Sequence, residues 1–484
     1  MIPADGLDRR ENFKPMGSTP ADIKSDEIEA DKIDEKRPAL LMRLAGAPII
    51  PMSTLSSVGF PVGVTWANWF AFFNAISWSV VLGAPLYLFA KHLGAGDELL
   101  GIIAALPPLL VVLHIPGNYL IPRLGYRRMV IFGWGARTAA VVLIALIPLA
   151  VTGHRLALAL LVLLLIVFSL CRGLAGGAWM PWLSTLVPTD IRGKFFLRDQ
   201  LFGQTGNVLT LILTAAIFTF LHGPTAFSIA FAMAALGGMV SVLCLLPVPD
   251  VTDIDLHTEA GSPISLGKML SAGTFRRLCI FNVAYMLVMG SLTVFTVAYL
   301  HDIVGLPSAE IIGLTAFSTL GGVASLFWCG KVLDRLGSRP ILAVSLLALI
   351  LVFFCWFLMA AGAIPPQLPI LGGVYLLSGM AGINFSAANN RLQSLKVPKL
   401  GRNHHFAVLL VLLNVAAGVS PMFWGLVLET IGRYQHHAIG LNWNRYSFLF
   451  GTCALMLVPV LMMLRSLDDH RPEIAAVAGE ATES

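Results

Sequence analysis

Arg172 stands at the end of a long apolar run, Leu156 to Cys171, that holds no other charge. A guanidinium keeps its charge and offers five N–H donors. In such a run it either binds an anion or serves backbone carbonyls near a helix end. His114 is likewise alone among apolar neighbours. An imidazole there is a proton relay, because it titrates near neutral pH, or a packing residue. Arg137, nine residues after Arg128, reads as a side chain that snorkels to the membrane surface. Amides recur where apolar residues otherwise dominate: Asn68, Asn74, Gln204, Asn207, Asn282, Asn384, Asn389, Asn390 and Asn414, with Tyr285 among them. Buried amides cost free energy unless paired, so they bond one another, water or a solute. Carboxylates are scarce. Between residues 64 and 249 there are Asp97, Glu98, Asp190 and Asp199, and in the second half before the tail Asp302, Glu310, Asp334 and Glu429, all reading as ends or loops. The proton-carrying candidates are therefore His114, Glu310, Glu429 and the pair Asp97-Glu98. No phosphate-binding glycine loop, HExxH or nucleophile triad is present. The adjacent pairs His404-His405 and His436-His437 point about 100° apart on a helix and make no metal site. No enzyme activity, cofactor or metal is expected.

The elements that hold these residues follow from composition. Of 484 residues, 57% are hydrophobic and 12% are charged, with a mean hydropathy of +0.80. Soluble domains carry roughly 25% charged residues, which excludes a water-soluble enzyme and a nucleic-acid binder. The six cysteines lie in apolar runs and form no disulfide framework. A helix crossing a bilayer needs about 20 apolar residues. Twelve runs qualify: 65–90, 98–121, 129–152, 156–187, 200–222, 225–247, 276–300, 309–331, 340–363, 369–396, 404–428 and 445–465. Pro181 predicts a bend near the end of the fourth. The fold expected is an all-α membrane protein of twelve transmembrane helices.

Residues 1–37 hold ten acidic and seven basic residues and read as a solvated tail, with no signal peptide. The expected divisions are a cytoplasmic tail 1–63, a six-helix bundle 64–248, a central loop 249–275, a second bundle 276–466 and a tail 467–484. Loops 2–3, 4–5, 6–7, 8–9 and 10–11 carry fifteen Lys/Arg against four on the opposite side. The positive-inside rule puts the basic side, the central loop and both termini in the cytoplasm.

The halves echo one another. Pro122-Arg123-Leu124-Gly125-Tyr-Arg127 follows span two, and Asp334-Arg335-Leu336-Gly337-Ser-Arg339 follows span eight, 212 residues later. Val187-Pro188 with Arg192 and Phe196 matches Val397-Pro398 with Arg402 and Phe406 at an offset of 210. Duplicated six-helix units are a build of secondary transporters. Gly330, Asp334, Arg335, Gly337 and Arg339 resemble the G-x-x-x-D-R-x-G-x-R loop signature of the major facilitator superfamily. Arg172-Gly-Leu-Ala-Gly176 resembles its R-x-x-x-G element. In the first-half copy Asn118 and Pro122 replace the Gly and the Asp. The resemblance covers about residues 65–465. It implies two pseudo-symmetric bundles, alternating access, and a cavity lined by helices one, four, seven and ten. It also implies a conformational latch from Asp334 to the start of span five. The function expected is movement of a small polar solute, such as a sugar derivative, zwitterion or organic anion, by a monomer in a bacterial inner membrane. A non-transporting scaffold or sensor of the same fold is the alternative.

Overall fold

The computed structural model describes residues 63–188, 191–250, 273–397, 402–432, 435–438 and 440–467. The N-terminal tail, most of the central loop and all but the first residue of the C-terminal tail lie outside the described residues. Twelve helices are long and apolar enough to cross a membrane: α1 (Trp66–His92), α2 (Asp97–Asn118), α3 (Tyr126–Ala150), α4 (His154–Leu186), α5 (Lys194–Phe220), α6 (Gly223–Leu245), α7 (Gly273–Val304), α8 (Ser308–Leu326), α9 (Ser338–Ala360), α10 (Leu368–Lys396), α11 (His404–Ile431) and α12 (Arg445–Ser466). They match the twelve expected runs. Many large apolar side chains, such as Phe132, Leu149, Phe220 and Leu455, stay exposed on the perimeter. In a bilayer that surface faces hydrocarbon of its own polarity.

The two six-helix halves repeat a structural staple. Gly125 and Gly337 take positive φ, 76° and 82°, and start α3 and α9. Two residues on, Arg127 Nη2 donates to Leu246 O after α6 at 2.6 Å, and Arg339 Nη2 donates to Arg465 O in α12 at 3.3 Å. The matched arginines thus tie third helix to sixth within each half.

Several helices are broken where the sequence dictates. α1 stops at Val81 and restarts at Ala84. Gly83 is extended, and a Cβ on it would overlap Ser79 O, so only glycine fits. α7 breaks at the equivalent place, between Met289 and Leu292. In α2, Pro107 and Pro108 precede a 3₁₀ turn over Leu110–Leu113. α4 breaks at Gly177-Ala178, just before the predicted bend at Pro181. A short hairpin between α11 and α12, β1 (Gln435–Ala438) and β2 (Leu441–Asn444), was not expected. Asn444 caps α12 by accepting from the Tyr446 and Ser447 amides and holds α9 through Ala360 O.

Across the halves α2 lies directly on α11. A Cβ on Gly101 would overlap Pro421 O, and one on Gly425 would meet Asp97 O at 2.6 Å. Both contacts lie in the half of the helices away from the arginine-rich loops. Gly101→Val is expected to prise this end apart and, as overpacking, to cost about 1–3 kcal/mol. Gly135, with open space around it, is the control. A melting temperature equal in Gly101→Val and Gly135→Val refutes the contact.

Candidate functional site

A cavity of about 210 Å³ opens between the halves. Leu82, Leu86 and Tyr87 of α1, Ile103, Ala104, Pro107 and Pro108 of α2, Arg172 of α4 and Asn414 of α11 line it. The prolines shape it chemically. Lacking N–H groups, Pro107 and Pro108 leave the carbonyls of Ile103 and Ala104 without their usual helical donors. Arg172 Nη1 donates to Pro107 O at 3.3 Å, which fixes the guanidinium at the cavity wall and spends few of its donors. Asn414 Nδ2 donates to Leu410 O at 2.9 Å in its own helix. No carboxylate lines this cavity.

Behind it lies Arg137, only 2% exposed. The snorkelling expectation is therefore overturned. The side chain points inward because Asn74 Oδ1 accepts from Arg137 Nη2 and, at 3.2 Å, from Trp134 Nε1. The guanidinium lies 5.2 Å from the Trp134 ring and 5.1 Å from the Phe168 ring, so π-faces supply part of the missing counter-charge. Arg172 and Arg137 repel one another. Neither has an ion pair among the described residues.

At the end away from the arginine-rich loops, four charges bridge the halves. Lys91 Nζ lies 3.1 Å from Asp97 Oδ1 and 2.6 Å from Asp302 Oδ2. Arg445 Nη1 lies 2.9 Å from Asp97 Oδ2, off hydrogen-bond alignment, and Tyr446 OH lies 3.4 Å from Asp97 Oδ1. Asp97 is 1% exposed and Lys91 7%. Asp97 opens α2, a span end as expected, but it is buried there because α11 and α12 fold over it. Lys91 and Asp97 belong to the first half, Asp302 and Arg445 to the second. Asp302 lies in a π-helical turn, Leu300–Val304, a local widening that sequence propensity does not announce.

A sequence profile of the Major Facilitator Superfamily matches residues 67–399 and, in a second match, 308–483. The chain belongs to that superfamily. Facilitator-fold structures resemble most of it. A D-xylose-proton symporter aligns with TM-score 0.67 at 15% identity, over 84% of this chain and 97% of that one. A POT family transporter in complex with 5-aminolevulinic acid aligns with TM-score 0.63 at 13% identity, over 85% and 98%. The nucleoside transporter NupG aligns with TM-score 0.57 at 13% identity, over 84% and 98%. At these identities the likeness is one of fold. Among curated protein sequences none matches.

Within the facilitator fold the other candidate residues fall into separate groups. Asn282 Oδ1 accepts from Asn389 Nδ2 at 2.6 Å and Gln393 Nε2 at 3.2 Å, and its Nδ2 donates to Leu278 O, so α7 and α10 are glued by amides paired with each other. Tyr285 stacks on Phe385 at 3.7 Å. Asn207 Oδ1 accepts from Ser79 Oγ at 2.6 Å, joining α1 to α5. Asn384 Oδ1 accepts from Ser325 Oγ at 3.1 Å and faces a lateral crevice among α8, α9 and α10. Gln204 is half-buried and Asn390 exposed. Asn68 is fully buried, with neither amide atom hydrogen-bonded. Beside it lies Asp199, whose Oδ1 is buried and unpartnered. That carboxylate, expected at a span end or loop, lies in the second turn of α5.

None of the coupling candidates His114, Glu310 and Glu429 lines the cavity, although His114 lies near enough to Arg172 to feel its charge. His114 packs on Gly176 and Gly177: a Cβ on the first would overlap its ring, and one on the second would come within 3.2 Å of it. Glu310 is half-buried in the first turn of α8, and Glu429 is exposed near the end of α11. The side chains of the latch residues Asp334 and Arg335, and Gly330 with them, lie outside the described residues, although the backbone helix from Ser308 runs on to Leu336. Gly337 and Arg339 serve the staple within the second half.

Proposed function

We propose that this chain is a secondary transporter that carries a small organic anion, such as a carboxylate, by alternating access. The observation that carries the reading is Arg172, a guanidinium at the wall of an inter-half cavity with no carboxylate to neutralise it. A charge at membrane depth costs a few kcal/mol or more unless paired, and Arg137 behind it adds a second. An anion in the cavity lowers that cost, with the unsatisfied donors of Arg172 and the Asn414 amide to orient it. The broken helices α1, α4 and α7 are the discontinuous type that builds transporter sites.

In this reading the arginine-rich loops and both termini are cytoplasmic, in a bacterial inner membrane, and the monomer is the working unit. The charge bridge closes the outer end. The first half spans 64–248 and the second 276–466. The chain performs no enzymatic step. His114, Glu310 and Glu429 lie off the cavity, which favours exchange of one anion for another over proton symport.

The test uses purified full-length protein with lactate, succinate and, as a neutral control, glycerol. A native-state ligand stabilises by mass action, by about 2.7 kcal/mol at one hundred times its Kd. Lactate or succinate is expected to raise the melting temperature with saturation, and proteoliposomes loaded with unlabelled anion should take up the labelled one by counterflow. If no anion in a wider panel of carboxylates and phosphates stabilises the protein or exchanges, the non-transporting scaffold is the better reading.

A further inference from the structure

A second cavity of about 210 Å³ lies wholly within the second half, lined by α7, α8, α9 and α10. Its walls carry Thr293, Thr296, Thr315, Ser318, Thr319 and Ser378, with Trp356 and Tyr375. The direction of the hydroxyls decides what fits. Thr296 donates to Leu292 O at 2.7 Å, Thr315 to Ile311 O at 3.0 Å and Thr319 to Thr315 O at 2.9 Å. Each hydroxyl hydrogen is thereby used within its own helix, and toward the cavity these oxygens accept only. Thr293, Ser318 and Ser378 make no side-chain hydrogen bond among the described residues. Tyr375 is 9% exposed, and its hydroxyl lies beside Thr296 without forming an aligned hydrogen bond. A buried phenol left so costs free energy comparable to a lost hydrogen bond.

We infer that this cavity is a second binding site, for a small neutral polyol. The acceptors take several donated hydroxyls, Tyr375 and the free serines donate back, and the Trp356 ring provides an apolar wall for C–H groups. The lining carries no charged side chain, so neither a carboxylate nor an ammonium finds a counter-ion. The volume corresponds to about seven waters of liquid, enough for a compact ligand with four or five hydroxyls. This site shares no lining residue with the Arg172 cavity and stands independently of the anion reading.

The experiment measures melting temperature and tryptophan fluorescence of the full-length protein against meso-erythritol and D-arabitol. Polyols also stabilise proteins by exclusion from the surface, which rises without saturation. Tyr375→Phe and Ser378→Val separate the two effects, the first by removing a donor and the second by filling space. A saturable rise is expected in the native protein. Half-saturation should need about three- to tenfold more polyol in Tyr375→Phe, and the saturable phase should vanish in Ser378→Val. Arg172→Gln should bind polyol as the native protein does, so this result is separable from the anion test. A purely linear rise, equal in native protein and both variants, overturns the site and leaves the cavity to water.

Discussion

Replacing Asp97 by asparagine should open the end of the molecule away from the arginine-rich loops, the outer end in the orientation proposed above. Asp97 is the buried counter-ion of Lys91 and Arg445, one from each half, and accepts from Lys91 and Tyr446. The amide has almost the same shape but no charge, so two cations lose their shared counter-ion. Removing one partner of a fully buried pair costs about 3–5 kcal/mol. Arg445 and Asp302 are each 23% exposed, and water there reduces the figure to roughly 1–3 kcal/mol. That penalty falls on the closed outer end alone. Tenfold is about 1.4 kcal/mol, so the outward-open population should rise between about five- and 140-fold. The measurement is labelling by an impermeant maleimide of Leu86→Cys, a cavity position, in a background lacking the six native cysteines. Faster labelling from the outer face is expected in Asp97→Asn, with partial return in the double variant Asp97→Asn, Arg445→Gln. Identical labelling rates in native and variant backgrounds mean the charges do not hold the end shut.

Arg172→Gln should give the largest loss of anion binding. Truncating one partner of a buried charged contact costs about 2–5 kcal/mol, or roughly thirty- to several-thousandfold in affinity. Arg172→Lys keeps the charge but loses the planar fork, so it should retain measurable binding with a smaller loss. Because the native charge is itself uncompensated, Arg172→Gln should melt no lower than the native protein in the absence of anion. The pairing of lost affinity with kept stability separates a binding arginine from a structural one. A large fall in melting temperature, with anion affinity unchanged in whatever remains folded, would make Arg172 a staple for Pro107 O.

Much of the fold was legible because a bilayer leaves one reading for a long apolar run. All twelve helices, the repeat and the bend near Pro181 follow from composition, spacing and proline chemistry. The hairpin Gln435–Asn444 was not legible, since strands of four residues carry no usable period. The site was legible in part. Arg172 stood out by cost alone, and it lines a cavity. The charge bridge escaped because Lys91, Asp97, Asp302 and Arg445 each look like ordinary residues of helix ends. Their burial arises from the approach of α2 to α11, which depends on Gly101 and Gly425 at contacts far apart in the chain. Arg137 was misread for a similar reason: its inward partner, Asn74, lies in another helix. The amides of α7 and α10 read from sequence as one set lining a cavity, whereas Asn282 and Asn389 bond each other and pair the two helices.

The charge bridge has an electrical consequence. Each half contributes one cation and one carboxylate to it, so parting the halves separates two neutral dipoles. Moving one elementary charge through the membrane potential is worth about 2.3 kcal/mol per 100 mV, but a neutral pair carried with its own half feels almost none of it. Opening and closing the outer end is therefore blind to voltage. The field acts instead on the traffic through the middle. In the anion-carrier reading a bound monovalent anion cancels one of the two uncompensated guanidinium charges, Arg172 and Arg137, and a divalent one cancels both. In the same reading the empty site keeps both charges while access switches from one face to the other, so the membrane potential bears on the empty step more than on the loaded one.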